Sequence, residues 1–103
     1  YELGLVEAIS IPQTECFEGA LQFARAEGIV PAPEPTHAIA AAVREAMACK
    51  ESGEEKVILT ALCGHGHLDL AAYETFLSGQ MVDLDLPDSV IQEAMQNVPE
   101  IED

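Results

Sequence analysis

The sequence predicts an α/β fold, a partial parallel sheet with flanking helices. An apolar run rich in β-branched residues, without alternation, covers residues 57–62 and is typical of a central parallel strand covered on both faces. Apolar residues at helical spacing lie before and after this run, separated from it by Gly and Pro. Aromatic residues make up only 5% of the chain, which favours helices on a sheet over an aromatic-rich sandwich.

The chain opens with a predicted strand and helix. Residues 8–11 form the strand, which Pro12 stops because proline cannot donate to a ladder. Thr14 is the expected N-cap of a helix over residues 14–27, and Gly28 suits the left-handed position after it.

A proline-rich segment, residues 29–33, is predicted to be short and extended. Thr36 is then the candidate cap of a second helix over residues 36–51. Its apolar stripe consists of Ile39, Ala42, Val43, Ala46 and Met47.

Two further helices are predicted after the strand at residues 57–62. Asp69 caps the first, in which Ala72, Tyr73, Phe76 and Leu77 share one face, and Gly79 ends it. Pro87 starts the second, which runs to about Asn97. Its predicted inward residues are Val90, Ile91, Ala94 and Met95.

No repeat or linker divides residues 1–103, which are predicted to form one unit with a tail helix from about residue 80 and a frayed acidic end at 99–103. Two parallel strands alone make a poor core with unpaired edges. The rest of the sheet is therefore expected from elsewhere. The start at Tyr1, without Met, agrees with a fragment of a larger protein.

Charge and cysteine content narrow the function classes. Nineteen acidic against four basic residues give a formal net charge of −15, which disfavours nucleic acid and anionic membranes as partners. The three cysteines show no paired spacing, so no disulfide framework is expected. Without a targeting signal or an apolar run near 20 residues, the sequence predicts a cytoplasmic protein.

The candidate site is the turn at residues 63–67, Cys-Gly-His-Gly-His, called here the CGHGH turn. Ligands of open α/β sheets bind beyond the carboxyl ends of strands, and glycine permits close approach of backbone. Three interpretations stay open from residue types alone. The turn could be structural with Cys63 buried, could bind zinc through Cys63, His65 and His67 with His37 as a fourth ligand, or could contact a cofactor.

Two motifs together carry a family resemblance. Residues 27–34 read EGIVPAPE and are followed by His37-Ala38-Ile39, and residues 64–69 read GHGHLD. In this order and spacing they resemble the C-terminal region of tryptophan synthase beta chains, particularly the second branch of that family. The likeness covers about residues 1–80.

The resemblance implies a C-terminal piece of a fold type II pyridoxal 5'-phosphate enzyme. The first residue of the turn, usually Ser, hydrogen-bonds the pyridine nitrogen of the cofactor in this family. Cys63 stands there, and a thiol is a weaker donor of similar size. Gly64, His65 and Gly66 complete the implied cofactor contacts. Glu34 is the implied catalytic residue beside the cofactor, and no metal is implied.

The resemblance also implies partners and a reaction. The intact enzyme would be a homodimer that joins L-serine and indole into L-tryptophan. Lys50 and Lys56 are the only lysines, and neither lies in the family's Schiff-base context, so the chain alone is expected to be inactive without the remainder of the beta chain. The alternatives are a stand-alone, non-catalytic α/β binding or interaction module, and a split enzyme completed by another chain.

Overall fold

The computed structural model describes residues 1–98, and its regular structure is helical. The predicted acidic end at residues 99–103 lies outside the described residues. Residues 1–98 form four α-helices and one turn of 3₁₀ helix between the second and third of them. Their bounds are α1 Gln13–Glu27, α2 Pro33–Ser52, the 3₁₀ turn Gly66–Leu68, α3 Leu70–Leu77 and α4 Asp88–Met95.

Helices α1 and α2 form the central pair, and both were predicted. They approach closely at Gly19, where a Cβ would lie in ordinary van der Waals contact with Ala40, 3.5 Å from its Cα. Both helices end at a glycine with positive φ, Gly28 at 71° and Gly53 at 74°. The prediction that Gly28 follows α1 in the left-handed conformation is thus confirmed.

The predicted N-caps of these helices are wrong. Pro12 occupies the N-cap position of α1, and the backbone N–H of Thr14 donates instead to Asp83 Oδ1 at 3.0 Å. Helix α2 begins at Pro33, three residues before Thr36, because proline suits the first helical turn, where backbone N–H groups have no partner. The Thr36 hydroxyl donates back to the Pro33 carbonyl within the helix.

The two predicted strands are absent from residues 1–98, so the parallel sheet is not formed by this part of the chain. Residues 8–11 and 57–62 are not in regular structure, and the one β-bridge within the described part of the chain joins Pro31 to His65. A strand exists only when a neighbour pairs with its backbone groups. The described residues offer no such neighbour to either segment.

The later helices differ in how they pack. On α3 the predicted face is confirmed for Tyr73, which is buried, and for Ala72 and Phe76, which pack against its cluster, but Leu77 is exposed. The predicted inward face of α4 is wrong, since no residue of this helix is buried. It ends at Met95, earlier than expected. Within residues 1–98, no helix combines the length and apolar character needed to cross a bilayer.

Candidate functional site

The CGHGH turn lies against the short extended segment that leads into α2. The Ala32 N–H donates to the Gly64 carbonyl at 3.0 Å, and the Gly66 N–H donates to the Val30 carbonyl at 2.8 Å. Between these bonds, Pro31 and His65 form an antiparallel bridge. The two motifs that carry the family resemblance, separated by about thirty residues in sequence, therefore meet in space.

The approach of the two segments depends on the glycines of the turn. A Cβ on Gly66 would overlap the Pro31 carbonyl oxygen and lie 2.9 Å from Cγ1 of Val30. A Cβ on Gly64 would lie 3.0 Å from the Cβ of Ala32, a tight contact. Residue 66 is consequently restricted to glycine by backbone proximity, since no conformational freedom of a longer side chain could relieve an overlap at Cβ.

Tyr73 on α3 holds the same segment from the other side. Its hydroxyl donates to the Pro31 carbonyl at 2.6 Å, and this hydrogen bond is buried. The Tyr73 ring packs edge-on against Phe17 of α1, with centroids 5.0 Å apart. Burial raises the pKa of the Tyr73 phenol, so the hydroxyl stays protonated and remains a donor. Nothing in the motifs pointed to Tyr73, which the sequence indicated only as one apolar face residue.

The two imidazoles of the turn contact each other. The backbone N–H of His67 donates to Nδ1 of His65 at 3.3 Å, and the two ring centroids are 5.1 Å apart. Because Nδ1 accepts this bond, neutral His65 carries its proton on Nε2. Both rings are exposed, so a hydrogen-bond donor on His65 is available to a ligand at the surface of the turn.

Cys63 and Glu34 are both accessible. Cys63 is a free, exposed thiol, which argues against the interpretation that it is merely a small buried side chain. Glu34 is exposed in the first turn of α2, two residues after the Ala32 bond to the CGHGH turn. The helix N-terminus stabilises a carboxylate at this position. The fold thus brings the segments that carry these two residues together, through the bond from Ala32 to Gly64.

The fourth proposed zinc ligand, His37, has a different neighbour. Its Nδ1 lies 3.2 Å from Sγ of Cys16, which is buried on α1, and burial raises the pKa of that thiol. The thiol therefore stays protonated, and which group donates in its hydrogen bond with the ring depends on the tautomer of His37. The pair is 21 residues apart on separate helices, so no sequence signal identifies it. Among residues 1–98, no group of three His, Cys, Asp or Glu side chains could hold a metal ion.

Both lysines of the chain are exposed. Nζ of Lys56 lies 3.3 Å from a carboxylate oxygen of Glu54 and 4.0 Å from one of Glu45. The bond to Glu54 raises the pKa of Lys56. Lys50 is exposed in the last turn of α2. A lysine that attacks a carbonyl carbon needs the opposite change, a lowered pKa.

Comparison with known proteins identifies the relatives of this chain. No family model matches it. The chain is 59% identical over 83 residues to tryptophan synthase beta chain 2 of Aquifex aeolicus, a match over 81% of the chain and 19% of that protein. It is 56% identical over 79 residues to beta chain 2 of Methanosarcina acetivorans (77% and 18%), and 47% identical over 96 residues to that of Pyrococcus furiosus (93% and 22%).

These matches confirm the predicted resemblance. By sequence, the chain is a relative of the tryptophan synthase beta chains. Several of the relatives are beta chain 2 proteins, in agreement with the second branch that the motifs indicated. The chain spans about a fifth of the length of the curated relatives it matches.

Proposed function

We propose that this chain is a C-terminal segment of a pyridoxal 5'-phosphate enzyme of the tryptophan synthase beta type and supplies part of its cofactor pocket. The observation that carries this is the contact between the two family motifs, where the CGHGH turn bonds residues 30–32 directly before Glu34. The 59% identity to a beta chain 2 supports the same family for the intact protein.

The residues present fit the ring side of such a cofactor. The turn offers an exposed thiol on Cys63, while Gly64 and Gly66 let it lie close against residues 30–32. Cys63 would donate a hydrogen bond to the pyridine nitrogen without giving it a full proton. His65 would add a donor from Nε2.

When bound, the cofactor supplies an electron sink, which in the intact enzyme would serve the replacement that joins L-serine and indole into L-tryptophan. The neutral thiol of Cys63 would temper that sink, because it leaves the pyridine nitrogen largely unprotonated. Glu34, held at the start of α2, would accept or return a proton beside the cofactor.

The lysine that binds the cofactor is proposed to lie in the remainder of the beta chain. Lys56 is paired with Glu54 and its pKa is raised, so it is a poor nucleophile at neutral pH. Lys50 is exposed at the far end of α2 from Glu34. The chain by itself would therefore bind no cofactor covalently and be inactive.

The proposed sheet belongs to the intact protein. Val57 and Leu59 are 99% and 94% exposed, although the whole run at residues 57–62 is apolar. Burial of such a run between neighbouring parallel strands would satisfy its backbone groups and remove its side chains from water. A homodimer and a cytoplasmic location stay predictions for the intact protein.

The test separates the cofactor role of the turn from a general structural role. In the full-length protein, Cys63→Ser should keep tryptophan formation from serine and indole, whereas Cys63→Asp should lower it and shift the absorbance spectrum of the bound cofactor, because a carboxylate holds a proton on the pyridine nitrogen. Cys49→Ser, a thiol on α2 away from the turn, is the matched control. Equal spectra for Cys63→Asp and the control would contradict the assignment of Cys63.

A second measurement addresses the lysine and the alternative of a non-catalytic module. The purified chain mixed with pyridoxal 5'-phosphate should develop no visible lysine-bound band. A band that disappears in Lys56→Arg or Lys50→Arg would place the reactive lysine in this chain and overturn that part of the proposal. A full-length protein that neither binds the cofactor nor forms tryptophan would favour the binding or interaction module.

A further inference from the structure

A side chain outside both motifs connects the CGHGH turn to the helical core. The hydroxyl of Tyr73, on α3, donates to the Pro31 carbonyl, and its ring belongs to the cluster with Phe17 and Ala20. The three residues are buried, and α1 and α3 share this cluster. Tyr73 therefore fixes the Pro31 carbonyl relative to the packed helices α1 and α3.

That carbonyl lies at the centre of the contact between the motifs. Pro31 is the bridge partner of His65, and the hydrogen bonds on either side of it run from Ala32 to Gly64 and from Gly66 to Val30. The Pro31 oxygen is also the atom that the Cβ of a larger residue 66 would overlap. A displacement of this oxygen would move the turn along with it.

Only two backbone hydrogen bonds join the turn to residues 30–32. Such a short ladder opens readily unless another contact holds one side in place. Proline has no N–H with which to join a ladder, so the Pro31 residue contributes only its carbonyl. This buried carbonyl accepts its hydrogen bond from the Tyr73 hydroxyl, which belongs to the helical core.

We propose that Tyr73 is a positioning residue for the cofactor turn. It sets the register of the turn against the start of α2, and through this register the separation of Cys63 from Glu34. The inference rests on the proposed function for its chemical consequence, while the positioning itself is a property of this chain. Tyr73 need not touch the cofactor or substrate.

Tyr73→Phe tests the proposal, because it keeps the ring that packs on Phe17 and removes the hydroxyl. Thr75→Val is the matched control. It removes a hydroxyl from the same helix, one that donates only to the Ala71 carbonyl one turn before it. Each variant removes one hydroxyl, which Tyr73→Phe replaces by a hydrogen and Thr75→Val by a methyl group. Only the Tyr73 hydroxyl is bonded to the Pro31 carbonyl.

Amide hydrogen exchange on the chain gives the first readout. In Tyr73→Phe, the amides of Gly66 and Ala32 should exchange up to about tenfold faster, the equivalent of one lost hydrogen bond, while amides within α1 and α2 keep their protection. Thr75→Val should leave all of them unchanged. Unchanged protection at Gly66, or an equal loss in α1 and α2, would overturn the positioning role.

The full-length protein gives the second readout, and it also serves if the variant chain unfolds. Exchange of peptides spanning residues 26–35 and 63–69 should again rise selectively in Tyr73→Phe. The absorbance spectrum of the bound cofactor should shift, and kcat should fall with the KM for serine retained. A selective exchange effect in a protein that binds no cofactor would leave the positioning intact and sink the proposed function. A Tyr73→Phe protein that binds the cofactor with unchanged exchange and spectrum would contradict the positioning role and leave the proposed function intact.

Discussion

Two mainly apolar segments outside the helices, residues 30–32 and 57–62, have opposite surroundings in this protein. In residues 30–32, Pro31 and Ala32 are buried, and the segment has two backbone hydrogen bonds to the CGHGH turn and one from Tyr73. In residues 57–62, side chains of Val57 and Leu59 are almost fully exposed, and the structure gives the run no backbone hydrogen bond to another described residue.

The difference shows that an apolar sequence forms a stable extended segment only when another part of the chain pairs with its backbone. Backbone N–H and C=O groups of an extended segment need partners from another part of the chain, and residues 30–32 have them. In residues 57–62, Ile58 and Thr60 line a groove of about 280 Å³ with Phe23 and Ile39. The other face has no cover among the described residues.

A substitution that separates residues 30–32 from the CGHGH turn should have the largest effect on the free energy of unfolding. Gly66→Ala forces a Cβ onto the Pro31 carbonyl oxygen, so the turn must move away from residues 30–32. Overpacking of this kind costs roughly 1–3 kcal/mol of the free energy of unfolding, which urea denaturation followed by circular dichroism measures. Gly64→Ala, which meets only the Cβ of Ala32, should cost less. Equal stabilities of Gly66→Ala and the unmodified chain would contradict the close approach.

A third segment outside the helices, residues 82–86, is intermediate between these two, because side chains of α1 form hydrogen bonds with it. Gln13 donates from Nε2 to the Val82 carbonyl at 2.9 Å, and Thr14 donates from both its N–H and its hydroxyl to the Asp83 carboxylate. Asp83 thereby satisfies the start of α1 in place of a local cap. Asp83→Asn should lower the midpoint of thermal unfolding by less than Gly66→Ala does. No change at all would mean that this contact is absent in solution.

The same contact predicts a pH dependence. The bonds from Thr14 lower the pKa of Asp83, so the carboxylate is more acidic in the folded than in the unfolded chain. Its stabilising contribution is therefore complete above the usual pKa of Asp and is lost as the pH falls below it, through the lowered value. Unfolding midpoints of the unmodified chain and Asp83→Asn should converge in acid, at fixed salt. A constant difference between them down to the lowest pH would contradict this assignment.

The smallest effect on the free energy of unfolding is expected for residues 57–62, which have no backbone hydrogen bond to another described residue. Val57→Thr changes a side chain with no described contact and should shift the free energy of unfolding of the chain by no more than about 0.5 kcal/mol. Ile58→Thr, on the groove side, should cost more. In the full-length protein the proposed sheet would bury residue 57, and Val57→Thr should then become destabilising. Equal effects in the chain and the full-length protein would count against the sheet.

Prediction from sequence succeeded where the signal is local. The glycine that ends α1, the burial of Ile39 on α2 and the face of α3 around Tyr73 follow from spacing within one helix. The rest of the predicted α2 stripe is not buried, and its last member, Met47, is 50% exposed. Prediction failed where contacts with residues far along the chain determine the capping or the packing of a helix. Thr14 resembles an N-cap by position, yet it binds Asp83 from 69 residues away. Helix α4 has the apolar period of a packed helix, but no described element covers it.

The site divides in the same way. Sequence alone determined the residue types of the turn, its two glycines and the family to which the motifs point, because these are written in short contiguous stretches. The roles of Cys63 and Glu34 remain predictions. Only the tertiary structure decided that the turn lies on residues 30–32, that Tyr73 holds the carbonyl between them, and that residues 57–62 stay unpaired. Those outcomes depend on which backbone groups find partners, and partners far along the chain leave no periodic trace in the sequence.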